Sequence, residues 1–238
     1  MPKFAVYYVP QAEDDFYRLG TSILGYDVRA REPVSMPRPL QERLGGYNPD
    51  WVKAARPYGF HLTIGDAIDF ALDDVLAIER EIDEILKCFA PRHAFSLQRR
   101  EDDFVTFWGQ RQEVVVLRYD PNPHLTMLHT LVVARVNPLG TGSGYLQKYL
   151  QNPAQYVRQP HQAQRIKKFY SPTVLDSYAP HFTLLNPYTG QDHARLARVF
   201  SEMFGRFSSI TLGSICLLLK LRQDKEWEIH REFKLLNG

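Results

Sequence analysis

Two short stretches, Tyr58-Gly-Phe-His-Leu-Thr-Ile64 and Tyr178-Ala-Pro-His-Phe-Thr-Leu184, repeat one pattern 120 positions apart. Each holds His-x-Thr followed by an aliphatic residue, with a tyrosine three positions before the histidine. Side chains alternate between faces along a β-strand, so His61 shares a face with Thr63, and His181 with Thr183. A chain built of two similar halves can bring both pairs together around one cleft. Such a cluster suits proton transfer at a phosphate. A neutral histidine takes a proton from water or from a ribose hydroxyl, and a protonated one delivers a proton to the leaving oxygen. The ordinary histidine pKa, near 6.5, keeps both forms accessible at neutral pH. Threonine hydroxyls placed beside them donate to non-bridging phosphate oxygens and stabilise charge as it develops. His61 and His181 are therefore the candidate catalytic residues, and Thr63 and Thr183 the candidate phosphate-binding ones.

The elements that must position them occur in the same order twice. In the first half, Phe4–Val9 is aromatic and β-branched and ends at Pro10, which predicts a strand. A short helix is expected over Glu13–Leu24. Residues 29–57 hold Pro33, Pro37, Pro39, Gly45, Gly46, Pro49 and Pro57 and are expected to be mostly irregular, with a brief helix over 49–55. The first His-x-Thr strand follows over 60–65. Val75, Ile78, Ile82, Ile85, Leu86 and Phe89 keep helical spacing after Asp73-Asp74 and predict a helix over 73–89. Strands are expected over 94–99 and 104–108.

The second half retraces this plan with a strand over 113–119, a helix over 123–136 and a long Gly-, Pro- and Gln-rich basic segment over 137–177. The second His-x-Thr strand, a helix over 192–207 and strands over 210–222 and 227–236 complete it. The fold class read from this order is α+β. It is bilobal and duplicated, with two antiparallel-rich sheets and outer helices flanking a central cleft. The lobes are approximately 1–110 and 111–238 of a single domain, with strand exchange between them allowed.

Other residues invite functional readings. Gln164-Arg165-Ile-Lys167-Lys168-Phe-Tyr170 mixes basic and aromatic side chains, so Arg165, Lys167 and Lys168 are candidates to grip a second phosphate or a base over the cleft. Arg29, Arg31 and Arg38 invite the same idea on a weaker pattern. Tyr7 and Tyr8 lie on a strand expected beside a His-x-Thr strand, and Tyr7 is a candidate substrate contact. Tyr58 and Tyr178 are expected to point away from the histidine face if the strand is regular there. A third match, His124-Leu-Thr126, opens a helical pattern in which residues two apart diverge, so it is set aside as a helix surface. Gly140-Thr-Gly-Ser-Gly144 resembles a phosphate-cradling loop in composition only and is read as a flexible loop. Neither His61 with Asp66 and Asp69 nor His181 with Asp192 and His193 forms a dense metal-ligand set, so neither a metal nor a cofactor is expected. No Gly-x-Ser-x-Gly is present, and neither Cys88 nor Cys216 has the surroundings of a nucleophile.

Composition bounds the partners. The 238 residues are 44% apolar and 24% charged, the profile of an ordinary globular chain. A net charge of +2 is compatible with anionic small molecules and too mild to argue for nucleic-acid binding by itself. Both cysteines fall in apolar patterns and are expected as buried thiols in a reducing compartment. No apolar run reaches the roughly 18 residues of a membrane span, and the chain opens directly on a strand pattern, so a cytoplasmic setting is expected.

The paired His-x-Thr-aliphatic strands, half a chain apart, resemble the 2H phosphoesterase superfamily, which includes the 2′-5′ RNA ligase/cyclic phosphodiesterase enzymes. Phe4–Val9 resembles its opening strand and Glu113–Tyr119 the counterpart in the second lobe. Gly213–Leu221 with Trp227–Phe233 resembles its closing hairpin. The resemblance implies a bilobal α+β fold and metal-independent catalysis by His61 and His181, with Thr63 and Thr183 on the phosphate. It implies a cyclic phosphate or nucleotide-like small molecule as substrate, with an RNA end as a further partner. Length and flanks also resemble a branch associated with bacterial phosphonate-utilisation operons. The long 137–177 segment and the Pro-rich 29–57 segment depart from a minimal member and bear on the cleft. The alternative reading is a non-catalytic binding module for a phosphorylated metabolite or RNA end. No oligomeric state follows from the sequence.

Overall fold

The computed structural model describes residues 1–90 and 94–235. In chain order the elements are β1 (Lys3–Tyr8), α1 (Asp15–Leu24), β2 (Tyr26–Asp27), β3 (Glu32–Pro33), α2 (Arg38–Arg43), β4 (Leu62–Asp69), α3 (Val75–Lys87), β5 (Ser96–Arg99) and β6 (Val105–Trp108). They continue with β7 (Val114–Pro121), α4 (Pro123–Arg135), β8 (Gly142–Ser143), α5 (Gly144–Gln151), α6 (Pro160–Phe169), β9 (His181–Leu185), α7 (His193–Phe204), β10 (Ser209–Thr211), β11 (Ser214–Lys220) and β12 (Glu228–Lys234). Among the described residues no helix is long and apolar enough to cross a membrane.

The main sheet runs β10-β5-β7-β9-β4-β1-β11-β12, with β6 also on β7 and β8 on β4, and its paired strands are antiparallel. The α+β, antiparallel class read from the sequence holds. The two His-x-Thr strands, β4 and β9, meet at the middle through one residue pair, Leu62 with Phe182. On either side the pairing crosses the sequence halves. β5 and β6, from the first half, lie against β7, whereas β11 and β12, from the second, lie beyond β1. Helices cross too: α1 packs against β9 and α4 against β4. Burial explains why β1 reads as a continuous apolar run: it is flanked by β4 and β11, and Phe4 to Val9 are all buried.

Behind the β4–β9 junction sits an aromatic cluster centred on Phe16 of α1. Its ring meets Phe60 and Phe182 edge-on at 5.0 and 4.9 Å, and those two stack at 4.9 Å. Phe60 precedes His61 and Phe182 follows His181, so this cluster grips both motifs from the core side. The helix that carries Phe16 also presents Gly20 to Phe60. A Cβ at Gly20 would lie 2.3–2.4 Å from three atoms of that ring.

Several sequence expectations shift. The 210–222 strand divides at Leu212-Gly213, because β10 pairs with β5 at the far end while β11 crosses over to β1. The Pro-rich 29–57 segment contains α2 and two 3₁₀ turns, Pro49–Val52 and Arg56–Tyr58. The 137–177 segment contains α5 and α6, begun by the Ser143 cap, which accepts from Leu146 N, and by Pro160 at the first turn. The last strand ends at Lys234, and Leu236 lies outside the described residues. Cys216 is buried, but Cys88 is exposed, contrary to expectation: it lies just past α3, off the stripe of Ile78, Ile82 and Ile85 that faces the core.

Gly20→Ala is expected to lower stability by about 1–3 kcal/mol through overpacking against Phe60. This outweighs the gain of up to about 1 kcal/mol that alanine brings a helix interior. A urea unfolding midpoint at or above that of the unchanged chain contradicts this account of the packing.

Candidate functional site

The Leu62–Phe182 pair fixes the site by register. In an antiparallel pair, one step forward on β4 is one step back on β9, so His61 lies across from Thr183 and Thr63 across from His181. Leu62 and Phe182 are fully buried, and the four alternating residues share the opposite face. Neighbouring strands extend this face. Tyr7 of β1 pairs with Thr63 and stacks on the His61 ring at 3.9 Å and 19°. On the other side Arg118 of β7 pairs with His181, and Trp108 meets the His181 ring edge-on at 4.5 Å. The two halves thus repeat the motif but not its walls.

Both histidines are held by the same local bond. His61 Nδ1 lies 2.9 Å from the Gly59 carbonyl, and His181 Nδ1 lies 2.8 Å from the Ala179 carbonyl. A carbonyl only accepts, so Nδ1 carries the hydrogen in each ring and Nε2 is left with its lone pair when the ring is neutral. Burial, opposed by the hydrogen bond to Gly59 and aided by the charge of His181, lowers the pKa of His61 to about 4. Burial also lowers that of His181, with Arg118 acting in the same direction. Each ring therefore stands ready to accept a proton on Nε2, and a bound anion would raise the pKa of either.

A cavity of about 440 Å³ opens on this face, lined by His61, Thr63, Thr183, Tyr7, Tyr58 and Asp66 among others. His181 is not among its lining residues; its ring packs against Trp108 instead. Asp66 reaches the cavity because β4 carries a bulge. Tyr7 pairs with Thr63 but Val6 with Gly65, so one extra residue reverses the alternation and turns Asp66 to the Thr63 side. Burial raises the Asp66 carboxyl to about 6 against a hydrogen bond from Ser171, and its Oδ2 is buried without a partner. The first residues of α5, Gly144 and Tyr145, and Lys148 one turn on, supply a further wall. Among the described residues no three His, Cys, Asp or Glu side chains are grouped to hold a metal ion.

The structure brings together Tyr7, His61, Thr63 and Thr183 on the cavity, with His181 two residues along the same face. It places the other candidates elsewhere. Arg165 is engaged by Asp176 and Ser177, at 2.5 and 2.7 Å. The Lys167 ammonium lies over the Tyr149 ring and that of Lys168 over Phe169. None of these three lines the cavity, because α6 packs against α4 and α5 and spends its cations locally. Arg29 clamps Glu232 and the Val9 and Pro10 carbonyls, Arg31 pairs with Glu228, and Arg38 is exposed on α2. Tyr8 packs on the core side against Phe182.

Tyr58 corrects the sequence reading. It belongs to a 3₁₀ turn, and Gly59 with φ 68° redirects the chain, so Tyr58 faces the cavity rather than away from it. Tyr178 instead stacks on the buried His129 at 3.8 Å. Its hydroxyl donates to the Thr63 carbonyl at 3.4 Å. Gly142-Ser143 is a short strand on β4 and the start of α5 rather than a flexible loop. Asp66, Tyr145, Lys148 and Asn186 were absent from the sequence-derived site. The Ser143 capping signal was the one feature able to place α5.

Over its full length the chain is similar to E. coli LigT in its apo form, with a TM-score of 0.45 and 12% identity covering 100% of this chain and 99% of that one. Against Kluyveromyces marxianus Usb1 the TM-score is 0.42 and the identity 8%, covering 99% and 97%. No family model matches the chain, and no curated protein matches it. Likeness at these scores assigns no activity.

Acidification tests the site's electrostatics. Between pH 6.5 and about 4 the unfolded chain binds a proton at His61 that the folded chain does not, so this group costs stability as pH falls, by at most about 1.4 kcal/mol per pH unit. Asp66, raised to about 6, acts oppositely, since the folded chain takes up its proton first. Relative to the unchanged chain, His61→Gln is expected to gain stability between pH 7 and pH 5. Asp66→Asn is expected to lose it over the same interval. Urea midpoints at the two pH values check the signs, and parallel shifts in both variants contradict them.

Proposed function

We propose that the chain is a phosphodiesterase of 2H type that opens a cyclic phosphate or cleaves a small phosphodiester. One histidine removes a proton through Nε2 from the attacking water or hydroxyl. The other, protonated once the anionic substrate is bound, delivers its Nε2 proton to the leaving oxygen. Thr63 and Thr183, diagonal in the four-residue face, donate to the non-bridging oxygens from opposite sides. The observation that carries this reading is the register itself. One pair, Leu62 with Phe182, sets two histidines and two threonines on one face, with both Nδ1 atoms committed to carbonyls and both Nε2 atoms left for chemistry. The sequence resemblance to the 2H superfamily points the same way. A cyclic phosphate or nucleotide-like substrate, an RNA end as further partner and a role in phosphonate metabolism rest on that resemblance, and a cytoplasmic setting rests on the sequence pattern alone.

A second reading, a binding module for a phosphorylated metabolite or RNA end, is favoured by one departure from symmetry: His181 is not among the residues lining the cavity. Turnover separates the two. Hydrolysis of 2′,3′-cyclic nucleotides and small ribosyl cyclic phosphates in EDTA is expected. His61→Ala and His181→Ala are each expected to lower kcat/KM by about 10²–10⁴. Thermal unfolding of each variant checks that the fold is kept. Near-unchanged turnover in His61→Ala sinks the two-histidine mechanism, loss of turnover in EDTA makes the chemistry metal-dependent, and phosphate binding without turnover favours the module.

A further inference from the structure

The cavity extends past the histidine–threonine face to Asp66, where the bulge in β4 has put a carboxylate that the proposed chemistry does not use. Its Oδ2 is buried and unpartnered. A buried acceptor left without a donor costs stability, and a ligand donor removes that cost. Tyr7, Tyr58 and Tyr145 stand within electrostatic reach of one another or of Asp66, so phenol hydroxyls and a carboxylate share this end of the cavity.

What these tyrosines offer a ligand follows from their ring contacts. Tyr7 is stacked on His61 and tilted against Trp227 at 6.1 Å. Tyr58 is stacked on the same Trp227 at 5.5 Å. Tyr7 and Tyr58 are thus tied by their rings to His61 and Trp227, and what they share with Asp66 at this end of the cavity is the phenol hydroxyls. Lys148 is the single Lys or Arg among the described lining residues and balances the carboxylate, so the subsite has no net preference for a cation.

We infer that this end of the cavity is a subsite for a polyhydroxylated group attached to the phosphate, a sugar ring, with Asp66 accepting a hydrogen bond from one of its hydroxyls. The inference rests on the proposed phosphate site and adds to it the residue that selects the attached group.

The test is binding, read by isothermal titration with inorganic phosphate, ribose 5-phosphate and adenosine 5′-monophosphate. Ribose 5-phosphate is expected to bind about ten- to a hundredfold tighter than inorganic phosphate, the size of a hydrogen bond to a charged group. In Asp66→Ala that margin is expected to shrink to about twofold. In Asp66→Asn, which keeps the shape and one acceptor oxygen, it is expected to fall in between, and this variant carries the test if the alanine variant does not fold. A margin unchanged in both variants overturns the subsite. So does a further gain for adenosine 5′-monophosphate that survives loss of Asp66, because a stacked base would produce it. Inorganic phosphate that fails to bind, or binds Thr63→Val with Thr183→Val as well as the unchanged chain, sinks the phosphate reading itself. Phosphate binding that depends on the threonines beside a sugar margin that ignores Asp66 sinks the subsite alone.

Discussion

The junction of β4 with β9 is held by one backbone register, Leu62 opposite Phe182, and everything the site can do depends on it. Because side chains alternate with period two, slipping this pair by one residue would turn one motif to the core and leave its partner alone. The register is fixed from behind rather than by a long ladder. Leu62, Phe182 and Phe60 are fully buried, and Phe16 packs edge-on against both of the last two. On the other face Tyr7 covers His61 and Trp108 covers His181, and burial there lowers the proton affinity of both rings.

That electrostatic arrangement differs from the common one, in which a carboxylate orients a catalytic histidine and stabilises its cation. Here a backbone carbonyl two residues upstream does the orienting in both motifs. A carbonyl fixes the tautomer without adding a full negative charge, so each ring stays neutral until an anion arrives. In the proposed mechanism the proton needed by the leaving group then comes with substrate binding instead of being held in advance. Arg118, paired with His181 across β7 and β9, and Tyr7, stacked on His61, make the two rings unequal despite their repeated surroundings. Unequal rings are what a division into base and acid requires.

Local patterns carried much of this in the amino-acid sequence. The strand of Phe4–Val9, the stripe of Ile78, Ile82 and Ile85, and both His-x-Thr segments were legible because each is a periodic signal completed within a few residues. What escaped was non-local or aperiodic. No sequence pattern says that β10 and β11, two residues apart, belong to opposite ends of the sheet. The bulge that turns Asp66 into the cavity adds a single residue to one strand of a pair, and alternation gives no sign of it. Tyr58 was misplaced because Gly59 takes a positive φ that breaks the assumed strand. The basic stretch at Arg165 had the right chemistry in the wrong place: its cations were already spent on Asp176 and on nearby rings.

The central claim is that two neutral, Nδ1-protonated imidazoles surround a phosphate position and that one of them becomes charged when the anion is bound. Chain labelled with ¹⁵N-histidine, observed by NMR with and without inorganic phosphate at pH 7, reports this most directly. The account predicts that His61 and His181 both show the Nδ1–H tautomer in free protein, and that saturating phosphate protonates Nε2 of one of them while the other stays neutral. An Nε2–H tautomer in either ring, or phosphate binding that leaves both rings neutral, would contradict it.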